Sequence, residues 1–349
     1  MNAEFFAAIA DIEKEKGIPQ QYMLDKINQA LLAALKKDNP AATENVRVDV
    51  DAEKKKIDMY IAKSVVEEVT EPAVQFTVDE ARKFSAKAEV GDVVNVPVDT
   101  KKFGRIAAQA AKQVIIQGIR EAERSMVYEE FTSKEHEILT GVVNRVEPRN
   151  GSVSIKINSN SEFTEAVLLP SERVPGEALR EGDRIKVYVV EVRKTSSGPQ
   201  ILISRTHPGL VKRLFELEVP EIFDGVVEIR SIAREAGSRT KIAVMSNDPE
   251  VEPIGACVGP KSGRVSAIVD ELRGEKIDIV KYSDSAEKYI ASALAPADVV
   301  RVDLLEGKSC QAIVPDGQLS LAIGKEGQNV RLAARLTGYK IDIKPESKA

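Results

Sequence analysis

The C-terminal part of the chain contains the same segment twice, and this duplication constrains the fold more than any other feature. One copy reads Ile254-Gly255-Ala256-Cys257-Val258-Gly259-Pro260-Lys261-Ser262-Gly263-Arg264-Val265, then a helical run to Leu272, Gly274 and Lys276-Ile277-Asp278-Ile279. The other reads Leu319-Ser320-Leu321-Ala322-Ile323-Gly324-Lys325-Glu326-Gly327-Gln328-Asn329-Val330, then Leu336, Gly338 and Lys340-Ile341-Asp342-Ile343. The step from the loop glycine to the valine is six residues in both copies. The step to the lysine of the final strand is 17 in one and 16 in the other. Each copy therefore predicts helix, glycine-bounded loop, helix and strand, a single structural unit used twice.

The loop suggests a chemistry. Glycine lets backbone approach a ligand closely, and the unpaired N–H groups that open the next helix attract phosphate. Lys261 and Lys325 lie inside the loops, where a cation would meet that phosphate. A KH module clamps single-stranded RNA backbone with such a G-x-x-G loop, while bases lie along an adjacent apolar groove. One such tetrapeptide is weak evidence. Its recurrence in the same frame is strong, against the alternative of a helix–turn–helix that serves packing alone. The RNA-binding candidates are Gly259, Pro260, Lys261, Ser262, Gly263 and Arg264 in one copy, and Gly324, Lys325, Glu326 and Gly327 in the other. The first loop departs from the pattern, with Ser262 where the second has Gly327. Either the turn tolerates serine, or this copy grips backbone less closely. Arg234, Arg239 and Lys241 before it and Arg264 after it are expected to compensate in charge.

Short strands precede the repeat: Ile138–Val146, 152–157, 165–169, 184–192 and 200–204, with turns at Arg149-Asn150-Gly151 and Ser196-Ser197-Gly198-Pro199. Five such strands predict an OB-type barrel. Arg145, Arg149, Lys156, Arg193, Lys194 and Arg205 recur through it. Of these, Arg145, Lys156, Arg193 and Lys194 are RNA-binding candidates, although basic residues of this kind are usually solvated surface. Phe163 and Tyr188 are its only aromatics, so little base stacking is expected.

The N-terminal part reads as mixed α/β. Phe5, Phe6, Ile9 and Ile12 recur at helical spacing until Gly17-Ile18-Pro19, and Met23, Leu24, Ile27, Leu31 and Leu35 form a second stripe. Alternation at 46–50 and 57–61 predicts a hairpin that turns within 51–56, and Val94, Val96 and Val98 predict a further strand. A long helix is expected from about Thr100 to Phe131, carrying Ala108, Ala111, Ile115, Ile119, Ala122 and Met126 on one side. These stripes read most simply as core, though an amphipathic helix can also dock a partner.

Net charge is −5, with −4 of it in residues 1–130 and −1 in the remainder. The C-terminal two-thirds can thus concentrate cations locally despite the acidic total. Cys257 and Cys310 are too few for a disulfide framework or a zinc site and read as small buried hydrophobes. His136 and His207 have no nucleophile arranged beside them, and no P-loop, dinucleotide fingerprint or two-metal acidic cluster appears. No catalysis, metal or cofactor is expected. No apolar run suits a membrane span and the N-terminus lacks signal-peptide texture, so a cytoplasmic location is expected, with monomer as the default.

Several strings are more specific than the modular order: 5–17 (FFAAIADIEKEKG), Ser204-Arg205-Thr206-His207-Pro208, 214–221 (LFELEVPE), Ser231-Ile232-Ala233-Arg234-Glu235, and the loop and helix from Ile323 to Thr337. With them, the whole chain resembles the NusA family of bacterial transcription elongation, termination and antitermination factors. The resemblance implies a multidomain α+β protein: a polymerase-binding domain at 1–130, an S-one-type OB barrel at 131–206, and KH domains at 207–285 and 286–349. It also implies docking on RNA polymerase near the RNA exit channel, a continuous surface for single-stranded nascent RNA, and cooperation with other Nus factors. Some members add acidic C-terminal repeats; this sequence stops just after the second KH strand, so functions of those repeats are not carried over. An RNA-binding accessory of mRNA decay or translation, and a KH scaffold that binds only protein, are the other readings.

Overall fold

The computed structural model describes residues 2–51, 53–98, 100–159 and 163–348, with only the backbone element described for 2–5, 100–111 and 163. The expected contributions of Phe5, Ala108, Ala111 and the Phe163 ring lie outside the described residues. The chain divides into two compact units, Met1–Val127 and Tyr128–Ala349.

In the first unit, α1 (Asn2–Lys16) ends at Gly17, whose N–H donates to the Glu13 carbonyl at 2.9 Å. α2 (Gln20–Asp38) follows, and its buried residues are the five of the predicted stripe: Met23, Leu24, Ile27, Leu31 and Leu35. Each such side chain contributes roughly 1.5–3 kcal/mol on leaving water. β1 (Val46–Asp51) pairs antiparallel with β2 (Lys56–Val65), Val46 opposite Ile61 and Val50 opposite Ile57. Ile115, Ile119 and Ala122 pack against the same core, whereas Met126 is exposed.

No hydrophobic periodicity marks the residues between Ile61 and Gly91, yet a short strand and a helical turn fold there, beside the strand expected at Val94 and Val96. β3 (Gln75–Phe76) runs parallel to β2, α3 (Val78–Ala81) follows, and β4 (Val93–Pro97) closes the sheet antiparallel to β2. Thr77 and Glu80 form a reciprocal capping box at α3, a pattern that Thr-x-x-Glu spells in the sequence. α4 spans Thr100–Thr132.

In the second unit, β5 (Ile138–Val146), β6 (Val153–Asn158), β7 (Phe163–Leu168), β8 (Arg184–Thr195) and β9 (Gly198–Ser204) close a barrel in the order β5-β6-β7-β9-β8. Alternate residues such as Val153, Ile155 and Ile157 point inward and are fully buried, which is what fixes the register.

Each repeat proves longer than its sequence signature. The first module is α5 (Pro208–Glu218), α6 (Pro220–Phe223), β10 (Val227–Glu235), β11 (Arg239–Ser246), α7 (Pro253–Val258), α8 (Gly263–Glu271) and β12 (Lys276–Lys281). The second is α9 (Ala286–Ala293), β13 (Arg301–Leu305), β14 (Ser309–Val314), α10 (Leu319–Ile323), α11 (Gln328–Thr337) and β15 (Lys340–Pro345). In both sheets the middle strand pairs antiparallel with its predecessor and parallel with the last strand.

The modules share cores. Ile242 and Val244 face the helices of the first module, together with Leu210, Leu214 and Phe215 of α5 and with Tyr188 of the barrel. On the opposite sheet face, Ala233, Ala243 and Val280 pack against Tyr289, Ala293, Leu332, Ala333 and Leu336 of the second module. The matching positions of the second sheet, read from strand register, are Asp303, Ile313 and Lys344.

Candidate nucleic-acid interface

The two glycine-bounded loops have the same backbone, residue for residue. Gly259 (φ 72°, ψ 174°) matches Gly324 (76°, 170°), and Lys261 (51°, 32°) matches Glu326 (54°, 27°). Ser262 (59°, 20°) takes the left-handed conformation of Gly327 (73°, 15°). The turn therefore tolerates serine at the departing position.

The two glycines of the second loop do different work. A Cβ on Gly324 would lie 2.8 Å from the backbone N of Asn329, and one on Gly259 would lie 2.6 Å from Cγ of Arg264. The first glycine is thus required by close packing on the following helix. A Cβ on Gly327 would meet nothing within 4 Å, so the second glycine leaves open space above the loop. Ser262 puts its side chain into that space.

Neither following helix has a side-chain cap at its N-terminus. Serine often caps from that position, but the left-handed backbone of Ser262 turns its hydroxyl away. Gly263 and Gln328 donate their N–H groups to the Pro260 and Lys325 carbonyls. The N–H groups that follow in the first turns of α8 and α11 have no side-chain cap, a place that suits phosphate. Lys261 and Lys325 are exposed, and neither forms an ion pair among the described residues. The lysines occupy different places, Lys325 matching Pro260 and Lys261 matching Glu326. Leu321 (47% exposed) and Ile323 (37%) line the approach to the second loop, an apolar floor of the kind bases occupy.

The charge compensation expected around the first loop is not what the fold builds. Arg234 forms a bidentate pair with Glu275, both side chains buried, with N···O distances of 2.9 Å. Arg239 and the buried Lys241 both donate to Asp278, and Lys241 also donates to the Ala295 carbonyl at 2.7 Å. Burial pushes the Asp278 carboxyl up, but Arg239 and Lys241 outweigh it and hold it below the usual range. Burial likewise lowers Lys241. Arg264 donates to Glu221 and the Ala256 carbonyl, which directs it to bracing the loop. Arg234, Arg239 and Lys241 are tied up within the first sheet and, for Lys241, at its contact with the second module, because a buried sheet face needs neutralised charge.

Three comparisons bear on this arrangement. The pattern of the NusA N-terminal domain matches residues 4–125, that of the NusA-like first KH domain residues 205–282, and that of the NusA-like second KH domain residues 286–349. The transcription termination/antitermination protein NusA of Halalkalibacterium halodurans is 53% identical over 350 residues, covering 100% of this chain and 90% of that protein. The chain belongs to the NusA family. The protein of the same name from Bacillus subtilis is 51% identical over 351 residues, covering 100% of this chain and 92% of its own. The solution structure of the N-terminal domain of NusA from B. subtilis is 43% identical, covering 36% of this chain and 99% of its own, with a TM-score of 0.31.

In this NusA-family chain the barrel candidates are not gathered in one place. β5 and β8 pair from Ile138–Tyr188 to Val142–Arg184, which puts Arg145 beyond one end of that pairing and Arg193 and Lys194 beyond the other. Lys156 is exposed in the middle of β6, opposite Val142. Arg145 pairs with Glu147 at 3.3 Å, Arg193 with Glu191 at 2.5 Å, and the Lys194 Nζ lies 4.3 Å from the Tyr128 ring centroid.

Arg205, read from sequence with the surface cations, is instead among the largest fully buried side chains. It makes two bonds to Glu177 (2.9 and 2.6 Å), one to the Lys186 carbonyl (2.6 Å) and two to Glu271 (3.3 and 3.1 Å). It thereby joins barrel to first KH domain. Tyr188 is not a stacking platform either, since it is buried and stacks on His207 at 4.6 Å. Cys257 and Cys310 are buried, as expected, and burial pushes the Cys257 thiol up to about 12.

Proposed function

We propose that this NusA-family chain is an RNA-binding transcription factor that associates with RNA polymerase and nascent RNA and modulates pausing, termination and antitermination, with other Nus factors as partners. The observation that carries the RNA part is the matched pair of loops, each opening a helix without a side-chain cap beside an exposed lysine, the second with exposed Leu321 and Ile323 next to it. The names of its relatives support the transcriptional setting. In this reading residues 1–130 contact polymerase, while 131–206, 207–285 and 286–349 contact RNA. Gly259–Arg264 and Gly324–Gly327 take phosphodiester backbone, and Arg145, Lys156, Arg193 and Lys194 supply weaker, dispersed attraction. The protein acts by binding, in the cytoplasm, as a monomer and without a cofactor.

The test is a salt titration of single-stranded RNA binding by the intact chain and by Lys261→Asp/Lys325→Asp. Losing two phosphate contacts lowers affinity and makes the log–log salt slope shallower by about 1.4. A folded double variant with unchanged affinity and slope would remove the loops from the RNA surface. Capture of core RNA polymerase by the intact chain separates a transcription factor from an accessory of decay or translation.

A further inference from the structure

The two repeats share loop geometry but carry different side chains along the following helix, and three of the differences fall on one face. Gln328, Arg331 and Arg335 of α11 stand where α8 has Gly263, Ser266 and Asp270. The spacing of three and four residues puts all three on one helical face. In the folded chain that face meets the Glu235 carboxylate, at the end of β10 in the first KH domain.

The contacts converge. Arg331 donates to both oxygens of Glu235, at 2.6 Å from Nε and 3.1 Å from Nη2. Gln328 Nε2 donates to Glu235 at 2.8 Å and to Ser238 Oγ, in the same hairpin turn, at 2.7 Å. Arg335 lies 3.7 Å from Glu235. The remaining Arg331 contact runs the other way: Nη1 donates to the carbonyl of Glu326, inside the second loop, at 3.1 Å. One guanidinium therefore ties the second loop to the β10–β11 hairpin of the first domain. A bidentate Arg–carboxylate pair fixes orientation as well as distance.

We infer that Glu235 is a positioning residue for RNA recognition. Through Arg331 it sets the second loop relative to the first, so the pair selects RNA whose two contacted segments are separated by a fixed length. The inference rests on the RNA-binding reading above. It explains why the copies differ at these three positions: the side chains serve the contact between the two KH modules, whereas α8 reaches the barrel through Glu271. It also separates geometry from charge. Removing Glu235 leaves Arg331 and Arg335 without their anion, which favours RNA electrostatically, while loosening the spacing between loops. A role confined to stability would move neither property selectively.

The probes are RNAs carrying two four-nucleotide adenosine tracts joined by ethylene-glycol spacers of increasing length, each titrated against the intact chain, Glu235→Ala and Arg331→Lys. Four nucleotides match what one KH loop clamps. The intact chain is expected to show an affinity maximum at one spacer length. Both variants are expected to lower the ratio of maximum to longest-spacer affinity by about threefold or more. Glu235→Ala is expected to bind the longest-spacer probe at least as tightly as the intact chain. Circular dichroism checks that the variants are folded, and Arg331→Lys retains the charge while losing the bidentate geometry. Two folded variants that keep the maximum, or an intact chain with no maximum but clear binding, would overturn the inference alone. An intact chain that binds none of the probes would overturn the RNA-binding reading with it.

Discussion

Ser262 holds backbone angles that the second repeat assigns to glycine. A left-handed residue with a Cβ costs roughly 1–2 kcal/mol, partly offset because glycine loses more freedom on folding. Ser262→Gly is therefore expected to stabilise the chain by about 1 kcal/mol, read as a higher urea midpoint at unchanged m-value. Gly327→Ser should cost a similar amount, since nothing lies near its Cβ. At this scale the sequence was only partly legible. Spacing located the loops and the odd serine, but residue type alone could not say whether the backbone would change or strain. Nor could it show that Arg234, Arg239 and Lys241 face their own acids, because those partners lie 37 to 41 residues away.

At the scale of elements, α5 shows how a helix start can sense pH. His207 caps it, Nδ1 accepting from the Gly209 N–H at 3.0 Å, with the ring stacked on Tyr188 and the Tyr188 hydroxyl 3.2 Å from His136. A Cβ on Gly209 would fall 2.4 Å from Tyr188 Cζ, so the helix enters only with glycine there. Burial lowers the pKa of His207, His136 and Arg234 lower it further, and Glu172 acts in the opposite sense. Protonation would also destroy the capping acceptor. The unfolded chain thus binds this proton more readily, so stability is fully present above the unfolded pKa and is lost as pH falls from there toward the folded one. Melting temperature is expected to fall between pH 7.5 and 5.5, and more shallowly in His207→Asn, which keeps a capping oxygen. An equal slope in the variant would assign the effect elsewhere. Strands and long helices were legible because period 2 and period 3.6 survive in the sequence. α3 and the strands that open each repeat were not seen, although Thr77 and Glu80 spelled a cap.

Across the whole molecule, the order of barrel and repeats could be read along the chain, but the joints could not. Arg205 looked like one more surface cation, because nothing local distinguishes a solvated arginine from one whose acids come from Glu177 and Glu271. Truncating it would leave Glu177, with a side chain only 2% exposed, with no cation among the described residues nearer than Arg273 at 3.9 Å. Arg205→Met is expected to destabilise the chain by about 3–5 kcal/mol, with much of that recovered in Arg205→Met/Glu177→Leu. Urea denaturation of the three proteins checks this. No recovery in the double variant would mean that shape, not stranded charge, sets the cost.

The sheet faces decide whether such an assembly can go on growing. The first sheet offers Ala233, Ala243 and Val280 to its neighbour, whereas the second carries Asp303, Ile313 and Lys344 at the same register. Head-to-tail docking is the geometry that makes open filaments when every unit presents the same back to the next. A third copy stacked by the same rule would have to strip water from Asp303 and Lys344, two strands apart with β14 between them. The duplication was thus made safe on one surface: two residues turn a unit capable of endless stacking into the last rung of a ladder.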